Sequence, residues 1–453
     1  MTTRLLPLAT PALGLVLALA TTATLPVTGF AAGAEARLSQ WPAWRGPLAN
    51  GTAPKADPPL EWSETNHVKW KVALPGRGTA TPIVWDQRVY VLTAIPTGKK
   101  EAAPTPAAQG DGPMRGMVDA PSEVQQFVVM SIDRATGKTV WQQTAREALP
   151  HQGHHKDHGF ASASPVTDGE RVYASFGSYG VYAYDLTGKL IWKKDLGPLQ
   201  TRNSFGEGSS PALAGNKLII LRDHEGDDCI LALDTRDGRE LWRTVREEPT
   251  GWCTPLNVEQ NGRQQIVVNG TNRIRSYDAE TGKLLWECGG MTANAIPSAV
   301  AGADRVIVTS GFRGSACLAL RLDRTGDLTG TDGVLWNLNR NTPYVPSPLL
   351  AGDLLYLLSG NNAVLTVVDA ASGKVQIDAQ RLEGMLGVYA SPVAAADRVY
   401  VAGRDGRVFV LKRGPTLEVL ARNRLDDAFD ASPALVDREL FLRGRQNLYC
   451  IAP

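Results

Sequence analysis

The stretch Thr254–Trp286, TPLNVEQNGRQQIVVNGTNRIRSYDAETGKLLW, carries the pattern that constrains this chain most. A hydroxyl residue stands before Pro, and an alternating apolar run follows. A Gly/Asn turn leads into a second alternating run ending in Asp. The turn AETGK comes next, and a last run ends in Trp. Alternation at period two, punctuated by turn residues, is the mark of short antiparallel strands. Four such strands cannot bury an apolar face alone, so the recurrence of the pattern along the chain requires neighbouring copies to stack.

The copies open at Pro82, Pro165, Pro211, Pro255, Pro297, Pro348, Pro392 and Pro433, with successive spacings of 83, 46, 44, 42, 51, 44 and 41 residues. All but the first lie near the period of four-stranded propeller blades, about 40 to 50 residues. The first is stretched by residues 96–125, a Pro/Ala/Gly-rich insertion whose composition predicts a flexible loop. The copy after Pro433 has only three strands before the chain ends. The stretch His67–Gly76, HVKWKVALPG, has the pattern of a last strand with no first three before it. An all-β, eight-bladed propeller over 62–453 follows, its ring closed by this N-terminal strand completing the last blade.

Residues 1–34 read as a signal peptide: Arg4, an apolar run from Leu5 to Ala20, and Ala32-Gly33-Ala34 as an A-x-A site. Pro7 and Pro11 interrupt that run, no later segment approaches spanning length, and no Cys precedes Cys229. A periplasmic or secreted monomer with no membrane anchor in the mature protein is expected. Residues 35–61, with WPAWRGPLANG at Trp41–Gly51, have no period and read as an N-terminal strap against the body. A ligand contact by Trp41, Trp44 or Arg45 is the alternative there. The net charge of +1, with Lys and Arg dispersed, excludes nucleic acid as the main partner. The five cysteines fit neither a disulfide framework nor a zinc spacing and read as small buried hydrophobes.

The last hairpin of each copy recurs as SIDRATGKTVW, AYDLTGKLIW, ALDTRDGRELW, SYDAETGKLLW and, degraded, VVDAASGKVQI. Asp opens the turn, Gly tolerates positive φ, and Trp141, Trp192, Trp242, Trp286 and Trp336 fall where the adjacent blade covers them. This pattern resembles the tryptophan-docking motif of pyrroloquinoline-quinone-type propellers, over essentially all of the chain from Trp62. With WPAWRGP, HHKDHGFASASPVTDG, TRNSFGEGSSPAL and SGFRG it is most similar to exported propellers of the planctomycete type. More distantly it resembles quinoprotein dehydrogenases and the propeller lipoprotein that assists outer-membrane barrel assembly. The first resemblance implies pyrroloquinoline quinone as a cofactor with calcium, a catalytic Asp and a vicinal cysteine pair. The pair is absent, and no calcium-ligand set or haem motif matches. The second implies a protein partner, although the lipid-attachment cysteine is missing.

Strand direction alternates within a blade, so one face collects every loop between blades and every second-to-third-strand loop. Counting three residues before each Pro places Thr79, Ser162, Gly208, Trp252, Asn294, Val345, Tyr389 and Asp430 around the axial mouth on that face. His154, His155 and His158, with His224, offer a divalent-metal set, although their spacing matches no zinc pattern. Arg202, Glu207, Asp223, His224, Glu225, Trp252, Asn294 and Arg313 are candidate ligand contacts. All come from the first five blades, so an off-centre site is expected. No nucleophile–base pair, phosphate loop or G-x-S-x-G elbow is present. The expected function is therefore an exported module binding a protein or a small polar ligand. The alternative is a periplasmic enzyme, dependent on a quinone or on a metal held by the His-rich loop.

Overall fold

The repeated turn explains both the local structure and the stacking. Asp133 Oδ1 accepts the Thr136 backbone N–H at 2.9 Å and its hydroxyl at 2.7 Å, and Gly137 continues the turn at φ 74°. Asp185–Thr187, Asp278–Thr281 and Asp369–Ser372 repeat this bonding. The glycine is needed for space as well as for φ. A Cβ on Gly137 would lie 2.8 Å from Trp70. Gly188, Gly238, Gly282 and Gly373 stand equally close to Trp141, Trp192, Trp242 and Trp336. Each of these indoles comes from the preceding blade and donates its N–H to a carbonyl beside the turn. The acceptors are Arg134 for Trp70 (2.9 Å), Leu186 for Trp141 (3.1 Å), Thr235 for Trp192 (2.9 Å), Ala279 for Trp242 (3.1 Å) and Ala370 for Trp336 (3.1 Å).

Trp286 differs. Its indole donates to Gln265 Oε1 in its own blade at 3.2 Å. The next hairpin is longer here, and Gly326–Asp327 adds a parallel strand beside Trp286 and Glu287. Leu322 and Leu328 pack in the same cluster, leaving Trp286 0% exposed.

The computed structural model describes residues 1–3, 35–101 and 117–453. The expected leader lies almost wholly outside them, as does the middle of the 96–125 insertion. At that insertion's end, Val118–Asp119 pairs with His154–His155. Blade 1 comprises Ile83–Trp85, Arg88–Pro96, Gln125–Asp133 and Thr139–Ala148. Inner strands Val166–Thr167, Ala212–Ala214, Leu256–Gln260, Val300–Ala301, Leu349–Ala351 and Val393–Ala395 open blades 2 to 7. Blade 8 runs Ala434–Val436, Glu439–Arg443 and Asn447–Ile451. Its fourth strand is Val68–Ala73, antiparallel to the chain's last strand with Val72 opposite Leu448. The ring therefore closes as the sequence predicts. Arg134 of blade 1 fastens that junction by ion pairs to Asp437 and Glu439 of blade 8. Apolar clusters fill the spaces between blades, and all five cysteines are free and buried in them.

A candidate binding cup on the axis

At the inner end of blades 2 to 8, a Ser or Thr hydroxyl accepts the backbone N–H of its counterpart in the preceding blade. The series runs Thr81 to Ser164, Ser164 to Ser210, Ser210 to Thr254, Thr254 to Ser298, Ser298 to Ser347, Ser347 to Ser391 and Ser391 to Ser432, at 2.7 to 3.2 Å. It stops at the closing junction, where the Thr81 hydroxyl is buried without a partner. These are the residues that precede Pro, except in blade 5. There Ser298 follows Pro297, and Ala299 takes the place that Pro holds elsewhere. The equivalent of Trp252 or Tyr389 in that blade is therefore Ile296, and counting from Pro297 lands two residues early, on Asn294.

The strap closes the other end of the channel. Trp41 forms an antiparallel bridge with Val84 of blade 1, and the Pro42 carbonyl accepts the Thr167 N–H of blade 2 at 2.9 Å. Across the axis, Thr52–Ala53 pairs in parallel with Ala394–Ala395 of blade 7. Between these anchors Arg45 donates to the carbonyls of Pro348 at 2.8 Å and Pro392 at 3.1 Å. Arg45 is 4% exposed, and burial pulls its guanidinium down to about 9. Trp41 is fully buried, while Trp44 faces the channel.

What remains is a cup of about 810 Å³ open on the loop-rich face. Its wall takes Thr79, Ser162, Gly208, Trp252, Ile296, Val345, Tyr389 and Asp430 from all eight blades, so it is centred on the axis. This corrects the off-centre placement, which followed from weighing only the irregular loops of the first five blades. The candidates Arg202, Trp252, Asn294 and Arg313 do line the cup, as do His155 and His158. Arg202 Nη1 donates to Asn294 Oδ1 at 3.1 Å, and the Trp252 indole donates to the Gly206 carbonyl at 2.8 Å. Arg313 lies over Phe312, 5.2 Å from the ring centroid, and Phe312 stacks on Tyr344 at 4.9 Å. On the far wall Arg404 pairs with both Asp157 (2.8 Å) and Asp430 (2.7 Å) and lies 3.9 Å over Tyr389. Only part of that group, Tyr389 and Asp430, was marked by its place before Pro. Asp157 lies in the HHKDHG stretch without being singled out there, and Arg404 belongs to none of the quoted motifs.

The remaining candidates are used structurally. Asp223 is bonded to Arg246 at 2.6 and 3.1 Å, both side chains being essentially inaccessible. His224 Nδ1 accepts the Gln200 N–H at 3.2 Å, and Glu225 Oε1 accepts the Thr250 N–H and hydroxyl at 3.1 and 2.9 Å. The acidic hairpin is thus tied to its neighbouring loops. Glu207 accepts both the backbone N–H and the hydroxyl of Ser178, and burial pushes its carboxyl up to about 7. Glu207 and Asp223 border a separate cavity of about 50 Å³ beside blades 2 and 3.

The histidines do not come together as a metal set. Both His158 nitrogens are taken up within the fold, Nε2 against the Phe205 carbonyl and Nδ1 against the Gly159 carbonyl at 3.1 Å and the Ser162 hydroxyl at 2.9 Å. Burial holds this imidazole down at about 4. His154 Nδ1 donates to the His155 carbonyl at 2.9 Å, and His155 Nδ1 accepts the Asp157 N–H at 3.3 Å. Among the described residues no group of three His, Cys, Asp or Glu is placed to hold a metal ion. The cup's two carboxylates, Asp157 and Asp430, are already balanced by two guanidiniums, Arg404 between them and Arg445 on Asp430. These residues therefore do not fit a quinone held through a metal.

Residues 125–289 and 270–452 match the family described as outer membrane protein assembly factor BamB. The chain belongs to this family. Among curated BamB proteins it is 23% identical to that of Shewanella oneidensis over 267 residues, 55% of this chain and 60% of that protein. It is 23% identical to that of Burkholderia pseudomallei over 326 residues, 69% of this chain and 76% of that protein. The chain therefore spans less than two thirds of the Shewanella relative. Among solved structures, BamB of Moraxella catarrhalis superposes with a TM-score of 0.52 at 15% identity, covering 80% of this chain and all of that one. The quinohemoprotein alcohol dehydrogenase of Comamonas testosteroni gives 0.62 at 13% identity, covering 92% of this chain and 81% of that one. At such identities the likeness is one of fold alone.

Proposed function

We propose that this protein is an exported, periplasmic scaffold that binds another protein of outer-membrane assembly through its loop-rich face. Family membership over residues 125–452 carries the reading, since the curated relatives are named as assembly factors. The loop-rich face supports it. Aromatic and cationic side chains, Phe312, Tyr344, Arg313, Arg202 and Trp252, gather at the cup's rim, and these residue types anchor protein interfaces. The opposite face carries the tight repeated hairpins and the strap. The protein acts as a monomer in this reading, with the blades as a rigid platform for the loops.

The test is site-specific photocrosslinking in cells that make the exported protein. A crosslinker at Phe312 should give a discrete adduct with an outer-membrane assembly component, and one at Leu190, on the hairpin face, should not. Equal adducts at both sites, or none at Phe312, would sink the reading. Retention of the protein in the cytoplasm would remove the export part of it.

A further inference from the structure

We propose that the axial cup is itself a binding site for a small organic anion with an aromatic body, held without a metal. Three features of the cup point there, and none depends on the protein-docking reading.

The first is shape. Trp44 lines the cup at the strap end, where Arg45 ties the strap to the Pro348 and Pro392 carbonyls, and the cup's volume of about 810 Å³ is that of a small-molecule site.

The second is unspent hydrogen-bonding capacity. Each of Ser164, Ser210, Thr254, Ser347, Ser391 and Ser432 lines the cup and already accepts a backbone N–H from the preceding blade. A hydroxyl has one proton to give, and among the described residues none of these six gives it to a protein acceptor. The inner cup therefore presents a circle of O–H donors, which suits a ligand rich in acceptor oxygens.

The third is charge. The cup's two carboxylates are matched by two guanidiniums, Arg404 bridging Asp157 and Asp430 and Arg445 pairing with Asp430. Lys156, Arg202 and Arg313 also line the cup, and none of them pairs with a carboxylate among the described residues. The surplus is positive, and guanidinium groups bind carboxylates and phosphates through paired, charge-assisted hydrogen bonds. Trp252, Phe205 and Trp44 supply flat apolar wall for the ligand's body.

The experiment uses the purified mature protein and three probes of one shape: indole-3-acetate, its neutral amide and the cationic tryptamine. Binding is read by calorimetry, with and without EDTA. The acid should bind at least ~10-fold more tightly than the amide, the ratio for one lost charge-assisted contact of about 1.4 kcal/mol, and tryptamine should bind more weakly still. EDTA should change nothing. Arg202→Gln/Arg313→Gln should erase the preference for the acid. Gly208 provides a second variant that is safe for the fold. Its φ is not positive, and an added Cβ meets only Trp252 Cδ1, at 3.4 Å. Gly208→Gln should narrow the cup and weaken all three probes. Equal binding of acid and amide, no binding of any probe, indifference to the double substitution, or loss with EDTA would each overturn the proposal. Binding is measured on the isolated protein and docking by crosslinks in cells, so the two readings fail separately.

Discussion

Trp70 donates its indole N–H to the carbonyl of Arg134 at 2.9 Å, the same bond that Trp141 makes to Leu186 one blade further round. The junction between chain ends is thus built like an internal junction. Trp70→Ala should cost about 3 to 5 kcal/mol, the usual range for losing a buried large aromatic. Removal of residues 62–76 should leave blade 8 with an open edge and give aggregates on gel filtration. A soluble monomer with unchanged Tm would show that this strand does not stabilise the ring.

The interblade tryptophans should not respond alike. Trp286 is fully buried beneath the lengthened hairpin of blade 5, whereas Trp336 and Trp141 stay half-buried. Trp286→Ala should reach about 3 to 5 kcal/mol, and Trp336→Ala clearly less. Urea midpoints at constant m-value provide the comparison.

The register of blade 5 is tested at Ser298. Ser298→Ala leaves the Thr254 N–H without its acceptor, a loss of about 1 to 3 kcal/mol for a buried donor. Ser347→Ala should cost about as much through the Ser298 N–H. A neutral Ser298→Ala would return blade 5 to the register counted from Pro297.

Glu207 and His158 oppose one another in acid. The folded Glu207 carboxyl sits at about 7 against an ordinary 4.5. Between those values the folded chain keeps a proton that the unfolded chain has released, so this contribution to stability falls as pH rises. His158 sits at about 4 against 6.5. Between those values the unfolded chain holds the extra proton, so stability falls as pH drops. Relative to wild type, Glu207→Gln should gain stability as pH rises from 4.5 to 7 and level off above. His158→Gln should lose less than wild type below pH 6. Urea midpoints from pH 4 to 8 separate the two, and parallel curves for all three proteins would contradict both assignments.

Asp223 should behave as a structural residue. Asp223→Ala strands Arg246 as a buried, unpaired charge next to Tyr277, which costs about 3 to 5 kcal/mol. Probe binding in the cup should persist in the fraction that folds. A stable variant that loses ligand binding would make Asp223 a ligand contact instead.

The fold was legible because its determinants are local and repeated. The Asp–Thr–Gly turn and the following Trp lie within a dozen residues, and period-two alternation marks the strands between them. The closing strand was legible because its pattern matched the one missing from blade 8. The hydroxyl series was half legible. Seven of its members precede Pro, but Ser298 does not, since what its place requires is a hydroxyl acceptor and not an imino ring. The strap was legible as a segment without a period lying against the body, but its partners Val84, Thr167, Pro348 and Ala394 were not, because they are chosen by the axis of the ring and leave no period in the chain. The histidine cluster misled for a related reason. Clustering in sequence does not reveal that carbonyls such as Phe205 take up the imidazole nitrogens first.

The strap also sets an order in time. Arg45 is made early, yet the two carbonyls that receive it across the axis lie 303 and 347 residues later. A long-range loop of that size closes only after its ends have been brought together by other contacts. The strap, synthesised before any blade, is therefore expected to seat among the last parts of the fold, and its docking reports that the ring around it exists. A chain halted before Pro348 has neither carbonyl to receive that arginine. It leaves the strap in solution and the axis open from end to end.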